Sequence, residues 1–293
     1  MVVPNTFEKQ IEIAYSILVA SVTSEGPHDT GTHKAYVIRG LAETPEQLVS
    51  LCWCILSFLD KVNEVDFKLE SIIGSGEQAG KNLKNALATY FDIGVELAPS
   101  QESKDRKRNP LIAEFISHIL VHIHREKSIF PAWIGEVQGC KNPHSNVNDG
   151  GLDLIALGNI DSKFLPALGE VKAYEDDPAK GLNDACKKFT QIRNGIYNQQ
   201  IRGALSSLNI KQGLSKEALA ANIWERTSNF GAFVSFDQQN QFDITKHINR
   251  NHVKIQPPDR LFLIVTPYTN MEKLFDRISD TLLSLANSFD GQK

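Results

Sequence analysis

The spacing of hydrophobic and polar positions predicts a chain that mixes helices with short strands. In the first hundred residues it predicts, in order, a helix or long strand at 7–22, a short strand at 33–38, and helices at 44–62 and 78–92. Thr44 and Gln47 form a capping-box pattern, and Pro45 suits the first position of the helix that follows. Together these elements predict an N-terminal, mainly helical α+β region.

The rest of the chain carries a helix, a hairpin and further strands. The pattern predicts an amphipathic helix at 111–125, strands at 151–157 and 164–173 around a turn at 158–162, a mostly helical stretch at 183–208, strands at 231–236 and 261–266, and a closing amphipathic helix at 271–288. This order predicts an α/β fold with a central mixed β-sheet flanked by helices, not an alternating doubly wound sheet. A polar, proline-bounded stretch at 99–110 predicts a boundary between an N-terminal region, 1–103, and a domain, 104–293.

The helix at 111–125 carries a polar stripe beside its apolar arc, made of Glu114, His118, His122 and Arg125. A stripe that borders a core-facing surface and begins with a carboxylate suits a helix at the edge of a cleft. A solvated helix face is the alternative that the pattern leaves open. His118 and His122 also have the i,i+4 spacing of a zinc pair, but the sequence offers no evident third ligand.

Composition and charge narrow the class of protein. Hydrophobic residues make up 41% of the 293 positions and charged residues 23%, which excludes a disordered or fibrous chain. The formal net charge of −4 excludes a protein that coats nucleic acid by bulk charge. The four cysteines are too few and too scattered for a disulfide scaffold. The N-terminus lacks the pattern of a signal peptide, so we expect a cytoplasmic protein.

The residues that point to chemistry are Asp153, Glu170 and Lys172. Glu170 and Lys172 are two positions apart on a predicted strand, so both side chains project from the same face. If this strand pairs with the one that carries Asp153, all three groups meet on one side of a hairpin. Two carboxylates there repel each other unless a positive charge lies between them, and Mg²⁺ fits that requirement. Lys172 would orient or deprotonate an attacking water and neutralise charge on the phosphorus centre.

This arrangement resembles the PD-(D/E)xK nuclease superfamily. The matching pieces are Glu114 in NPLIAEFISHIL, Asp153 in GGLDLIAL, and Glu170 with Lys172 in LGEVKA, while Leu152 stands where the motif often has proline. The resemblance implies a Mg²⁺-dependent enzyme that cuts DNA, with Mn²⁺ as a substitute. It implies catalytic roles for all four residues, and metal binding by Asp153, Glu170 and Glu114.

Residues 109–205 are similar, more narrowly, to the nuclease subunit family of the Hachiman anti-phage defence system, HamA. The similar stretches are the glutamate-bearing helix, HSNVNDGGLDLIAL, and GEVKAYEDDPAKGLNDA running into a helix. This resemblance implies a DNA-degrading effector that is restrained and delivered by a superfamily-2 helicase partner of the HamB type. The region 1–103 is then the expected docking surface for the partner.

Two basic stretches predict contacts with DNA phosphates despite the acidic total. Residues 178–213 carry six basic side chains and one acidic side chain, a net charge of +5. The side chains predicted to bind DNA are Lys180, Lys187, Lys188 and Arg193. The second stretch, 104–108, contains Lys104, Arg106, Lys107 and Arg108. Gln191 and Tyr197 are further candidates for DNA contact, and ordinary solvated helix faces are the alternative.

Two other functions remain open at the level of sequence. One is a restriction endonuclease of the same superfamily that acts alone on a defined site. The other is a non-catalytic adaptor that keeps the fold and only binds a partner or DNA. The presence of Asp153, Glu170 and Lys172 favours an enzyme, because an adaptor does not need all three.

Overall fold

The computed structural model arranges the chain around one seven-stranded β-sheet. It describes residues 6–29, 33–60, 77–94, 100–141, 143, 151–212, 223–240, 242–243, 255 and 259–290. The strands are β1 (Thr23–Asp29), β2 (Lys34–Arg39), β3 (Glu136–Cys140), β4 (Leu154–Ile160), β5 (Lys163–Ala173), β6 (Asn229–Asp237) and β7 (Arg260–Tyr268). Their order across the sheet is β1-β2-β7-β6-β5-β4-β3. The strands β2, β7, β6 and β5 are parallel, and antiparallel strands flank them, so the predicted mixed sheet is confirmed.

Helices cover both faces of this sheet. They are α1 (Thr6–Ser21), α2 (Pro45–Asp60), α3 (Glu77–Phe91), α4 (Gln101–Ser103), α5 (Asn109–Lys127), α6 (Pro131–Ile134), α7 (Pro178–Arg193), α8 (Asn198–Gln212), α9 (Ile223–Arg226) and α10 (Met271–Asp290). The predicted capping box is present, because Gln47 N donates to Thr44 Oγ1 and Thr44 N donates to Gln47 Oε1. None of the described helices is long and apolar enough to cross a membrane.

The sheet separates two hydrophobic clusters, because successive side chains of a strand point to opposite faces. Phe262 and Ile264 of β7 pack on one face with α1, α2, α3, α5 and α10. Leu263 and Val265 pack on the other face with α7 and α8. All nine residues of β6 are buried, as expected for a parallel strand with helices on both sides. The predicted regions 1–103 and 104–293 share this sheet, since β2 pairs with β7.

The stretch predicted as a domain boundary is helical. A π-helical turn, Lys104–Arg108, joins α4 to α5. Lys104 Nζ and Arg108 Nη1 lie 3.0 and 2.6 Å from Asp276 Oδ1 of α10, and Lys107 pairs with Asp92. The charged residues in this stretch made it look like a linker in the sequence. In the structure, Lys104, Lys107 and Arg108 form ion pairs with aspartates of other elements.

A tight turn sets the register of the β4–β5 hairpin. Ile160 pairs with Lys163, and the two residues between them, Asp161 and Ser162, have positive φ angles of 51° and 63°. Positive φ at both central positions belongs to the type I′ turn, whose twist matches that of paired strands. The turn is shorter than predicted, so both strands extend further toward it. The register places Leu154 opposite Gly169, at the far end of the hairpin.

Gly158 of β4 is a point where a side chain would not fit. A Cβ added there would lie 1.8 Å from the backbone oxygen of Ile134. Gly158→Ala should therefore lower the free energy of unfolding by about 1–3 kcal/mol, as overpacking does in a dense core. Gly203 of α8 is the matched control, because a Cβ there meets no atom within 4 Å. Gly203→Ala should be neutral or stabilising by up to about 1 kcal/mol. Urea unfolding measures both, and equal midpoints would contradict this packing.

Candidate active site

The three predicted residues Asp153, Glu170 and Lys172 come together at the open end of the β4–β5 hairpin. Asp153 lies one residue before β4, not inside a strand as predicted. Glu170 and Lys172 share a face of β5 with Leu168, which packs against the α7 side of the sheet. The hairpin register brings the backbone of Asp153 to the level of Glu170. The sequence prediction of a shared hairpin therefore corresponds to the observed geometry.

The side chain of Asp153 is held by the neighbouring strand. Its Oδ2 accepts a hydrogen bond of 2.7 Å from the backbone N–H of Val171. Val171 lies past the last residue of β5 that pairs with β4, so the carboxylate takes the place of a strand partner. Asp153 is therefore fixed against the segment that carries Glu170 and Lys172.

Glu170 and Lys172 form an ion pair that is largely removed from water. Lys172 Nζ lies 2.7 Å from Glu170 Oε1, and Glu170 is only 4% exposed. Burial and the charge of Asp153 raise the pKa of Glu170 to about 7, although Lys172 and Lys188 act in the opposite direction. Burial lowers the pKa of Lys172, but Glu170 and Asp153 raise it more, so the pKa lies above its usual value and the amine is a charged ammonium.

One observation indicates that Asp153 and Glu170 are suited to bind a divalent cation. Glu170 Oε2 is buried and has no hydrogen-bond partner among the described residues. A buried carboxylate oxygen without a partner, close to a second carboxylate, is the environment that a hard cation stabilises. No group of three or more His, Cys, Asp or Glu side chains in the described part of the chain is arranged as a ready metal site. Mg²⁺ typically uses one or two carboxylates and keeps several waters, which suits Asp153 and Glu170.

The polar stripe of α5 is buried at its start and exposed only at its end. Glu114 and His118 are 7% and 1% exposed, His122 is half-buried and Arg125 is exposed. His118 Nε2 lies 3.0 Å from the backbone oxygen of Asp153 and 3.9 Å from Glu114 Oε1. The stripe is therefore not a solvated face, and His118 links Glu114 to the segment that carries Asp153. A direct role of Glu114 at a metal ion stays a prediction.

A cleft of about 860 Å³ opens over this site. It lies between the C-terminal end of β5, the first three turns of α7 and the start of α5. The residues around it that bear on function are Glu170, Lys172, Lys180, Lys187, Lys188 and Gln191. The helix α7 packs closely over β5, because a Cβ at Gly181 would lie 3.2 Å from Lys172 Cβ. Asp177 caps α7 by accepting a hydrogen bond of 2.9 Å from Lys180 N.

Three of the four lysine and arginine residues predicted to bind DNA line this cleft. Lys180 Nζ lies over the ring of Tyr174 at 5.1 Å, and Lys188 Nζ lies over the ring of Tyr197 at 4.5 Å. Lys187 Nζ is 2.7 Å from Asp184 Oδ1, but its side chain is mostly exposed. These cations lie on the helix that borders the candidate active site. The same cleft is also lined by carboxylates, those of Asp105, Glu175, Asp176, Asp177 and Asp184.

Gln191 and Tyr197, which the sequence left as alternatives, are in contact with each other. Tyr197 Oη donates to Gln191 Oε1 at 3.3 Å. Gln191 lines the cleft directly. The pair therefore extends the polar wall of the cleft beyond the lysines.

Arg193 is not brought to the cleft. Its Nη1 donates to the backbone oxygens of Trp224 and Glu225 at 3.1 and 2.6 Å, and its guanidinium pairs with Asp259. Arg193 therefore joins the end of α7 to the segment before β6. The second predicted basic stretch, 104–108, is also engaged in ion pairs within the fold. The clustering of basic residues in the sequence did not indicate which of them form ion pairs within the fold and which remain exposed to solvent.

Two residues of the site carried no distinct signal in the sequence. Tyr174 Oη donates to Asp184 Oδ2 at 2.8 Å, which joins the end of β5 to α7 beside Lys172. The sequence placed His118 on the polar stripe at the edge of a cleft and, with His122, in the spacing of a zinc pair, but it did not indicate a contact with Asp153. The segment 144–150, which preceded Asp153 in the quoted similarity, lies outside the described residues.

The chain matches no protein-family model, no curated protein and no solved structure.

Replacement of Arg193 should lower the free energy of unfolding more than replacement of Lys187. Arg193→Ala removes two hydrogen bonds and leaves the carboxylate of Asp259, which is 6% exposed, without its cation. It should lower the free energy of unfolding by about 1–3 kcal/mol. Lys187→Ala, on the same helix, removes an exposed pair and should change it by less than about 1 kcal/mol. Chemical denaturation measures both variants. A fully stable Arg193→Ala protein would show that Arg193 is not a structural anchor.

Proposed function

We propose that this protein is a Mg²⁺-dependent DNA nuclease of the PD-(D/E)xK type. The observation that carries the proposal is the set of Asp153, Glu170 and Lys172 at one end of a hairpin, with a buried Glu170 oxygen that lacks a partner. If Glu170 and Lys172 formed only a structural ion pair, the carboxylate of Asp153 would be unfavourable beside them, because its negative charge raises the pKa of Glu170. A site for a cation and a phosphate group gives each of the three residues a purpose.

Each residue has a role that follows from its contacts. Asp153 and Glu170 would hold the cation. Glu114, whose Oε1 lies 3.9 Å from His118 Nε2, is the third carboxylate that the resemblance assigns to the metal. Lys172, as a charged ammonium, would orient the attacking water and stabilise negative charge on the phosphoryl oxygens. Deprotonation of that water is the other role predicted for Lys172. Mg²⁺, when bound, supplies positive charge that polarises the phosphoryl oxygens and increases the acidity of water.

The reaction is hydrolysis of a phosphodiester bond. A water molecule gives up a proton to the solvent as its oxygen forms a bond to phosphorus. The bond from phosphorus to one ester oxygen breaks, and the leaving oxygen takes up a proton from the solvent. The lysines of α7 support DNA as the substrate, since Lys180, Lys187 and Lys188 line the cleft that contains Glu170 and Lys172. Binding that depends on so few cations should be weak and sensitive to salt.

Replacement of the site residues should abolish cleavage. Asp153→Asn, Glu170→Gln and Lys172→Ala should each lower the rate of DNA hydrolysis by about 10²-fold or more. The first two remove ligands of the cation, and the third removes the positive charge that stabilises the reacting phosphate. The assay follows plasmid and single-stranded DNA with Mg²⁺, with Mn²⁺ and with a chelator. The chelator should abolish activity.

Two exposed residues of the same sheet provide matched controls, Glu136→Gln on β3 and Lys163→Ala at the start of β5. Both should keep the activity of the wild-type protein. Wild-type activity in Lys172→Ala would refute the assignment. A wild-type protein that binds DNA without cutting it would favour the adaptor. Discrete bands from plasmid would favour a restriction endonuclease, whereas nicking or a smear would favour an effector.

We also propose that a superfamily-2 helicase partner restrains and delivers this nuclease in an anti-phage defence system. The support is the resemblance of residues 109–205 to the Hachiman nuclease subunit, together with the small number of cations at the cleft. Weak binding of DNA by the nuclease alone makes delivery by a tracking partner effective, because tethering raises the local concentration of substrate. The region 1–103 is the proposed docking surface.

Co-expression with a helicase from a neighbouring gene tests this partnership. The two proteins should purify together, and nuclease toxicity should fall when the helicase is present. Lys172→Ala should keep the association but remove the toxicity. A chain that cuts a defined sequence at full rate and does not associate with the helicase would reject the partnership.

A further inference from the structure

His118 is placed to act on Asp153 from inside the core. It lies one helical turn after Glu114 on α5 and is 1% exposed. Its Nε2 lies 3.0 Å from the backbone oxygen of Asp153, within the range of a hydrogen bond. This contact joins two elements that are 35 residues apart in the chain.

The hydrogen bond requires a proton on Nε2 of the ring. A carbonyl oxygen only accepts, so Nε2 is the donor of this contact. The atom that faces Nδ1 is Cys140 Sγ of β3, at 3.8 Å. Burial raises the pKa of Cys140 to about 12, so the thiol keeps its single proton. That proton has a nearer acceptor in the backbone oxygen of Lys141, at 3.3 Å, so Cys140 Sγ packs beside the ring without being assigned as its donor.

We infer that His118 is a positioning residue for Asp153. The inference rests on the proposed function, because Asp153 is a ligand only if the protein binds a cation. Asp153 precedes β4 and is not part of the strand ladder, and two of its contacts tie it to neighbouring elements. His118 holds its backbone, and the Val171 N–H holds its side chain. Loss of the first contact frees the residue to move relative to Glu170.

The same helix contains a histidine that serves as the structural control. His124 Nε2 lies 2.7 Å from the backbone oxygen of Gly135, and its Nδ1 accepts from Phe130 N at 3.0 Å. The two buried histidines thus make the same kind of contact to a backbone carbonyl, but only His118 contacts the site. A general effect of removing a buried imidazole should appear in both, whereas an effect on cation binding should appear only at His118.

Two near-isosteric substitutions separate the Nε2 donor from the volume of the ring. The amide nitrogen of glutamine reaches about as far as Nε2, whereas that of asparagine reaches only as far as Nδ1. The probe is Mn²⁺, titrated by calorimetry into the full chain. His118→Asn should weaken Mn²⁺ binding by about 10-fold or more, the range seen when a residue that orients a metal ligand is lost. His118→Gln should restore most of the affinity, and His124→Gln should leave it unchanged.

A second measurement needs no metal. The amide hydrogen of Val171 donates to Asp153 Oδ2, so its exchange with solvent reports how firmly Asp153 is held. In His118→Asn this amide should exchange about 10-fold faster, while the amide of Leu168 in the same strand should keep its rate. Equal acceleration at both positions would indicate a general loss of stability and would overturn the inference.

The outcomes separate the two proposals. A wild-type protein that binds no Mn²⁺ counts against the proposed function, but the exchange of Val171 still tests the positioning of Asp153. Wild-type affinity together with wild-type exchange in His118→Asn would overturn the role of His118. Weaker Mn²⁺ binding in His124→Gln at the same level as in His118→Asn would also overturn it.

Discussion

The arrangement of the candidate active site depends on two carboxylates that lie close together at the open end of the β4–β5 hairpin. Asp153 and Glu170 come close together there, Glu170 is buried, and a single ammonium from Lys172 pairs with it. In a medium of low polarisability such a cluster is tolerated only with compensating charges or hydrogen bonds. The surrounding elements supply some of these. The Val171 N–H binds Asp153, Tyr174 binds the neighbouring Asp184, and Lys188 lowers the pKa of Glu170.

The position of this cluster follows from the register of the sheet. A two-residue turn with positive φ at Asp161 and Ser162 leaves one way to pair β4 with β5. That register places Gly169 opposite Leu154 and brings the next residues on each strand, Glu170 and Asp153, to one level. A shift of one residue would send Glu170 and Lys172 to the opposite face, away from α7. The turn at one end of the hairpin thus determines that Asp153 and Glu170 lie side by side at the other end.

The sequence predicted the parts of the molecule in which a periodic pattern coincides with burial. It predicted α2, α3, α5 and α10 as separate helices, the hairpin, and the meeting of Asp153, Glu170 and Lys172. It left residues 7–22, which contain most of α1, open between a helix and a long strand. It missed β1, whose mainly exposed residues (TSEGPHD) give no alternation. It also misjudged Arg193 and the stretch 104–108, because a run of cations looks the same whether it faces solvent or pairs with aspartates from distant elements. Contacts between elements far apart in sequence, such as Arg193 with Asp259, leave no local signal.

The first turns of α5 illustrate how a site departs from the rules that shape the rest of the fold. Fourteen residues of this helix are buried, among them Glu114 and His118, at positions that apolar side chains would occupy in a helix with only a structural role. Burial of a carboxyl group and an imidazole costs free energy unless their hydrogen bonds are satisfied. The contact of His118 with the backbone oxygen of Asp153 meets this requirement for the imidazole, and it leads to the hairpin that carries the clustered charges. The helix therefore places polar groups in the core at the point where it approaches that hairpin, which is the pattern expected where function, and not stability, selects the residues.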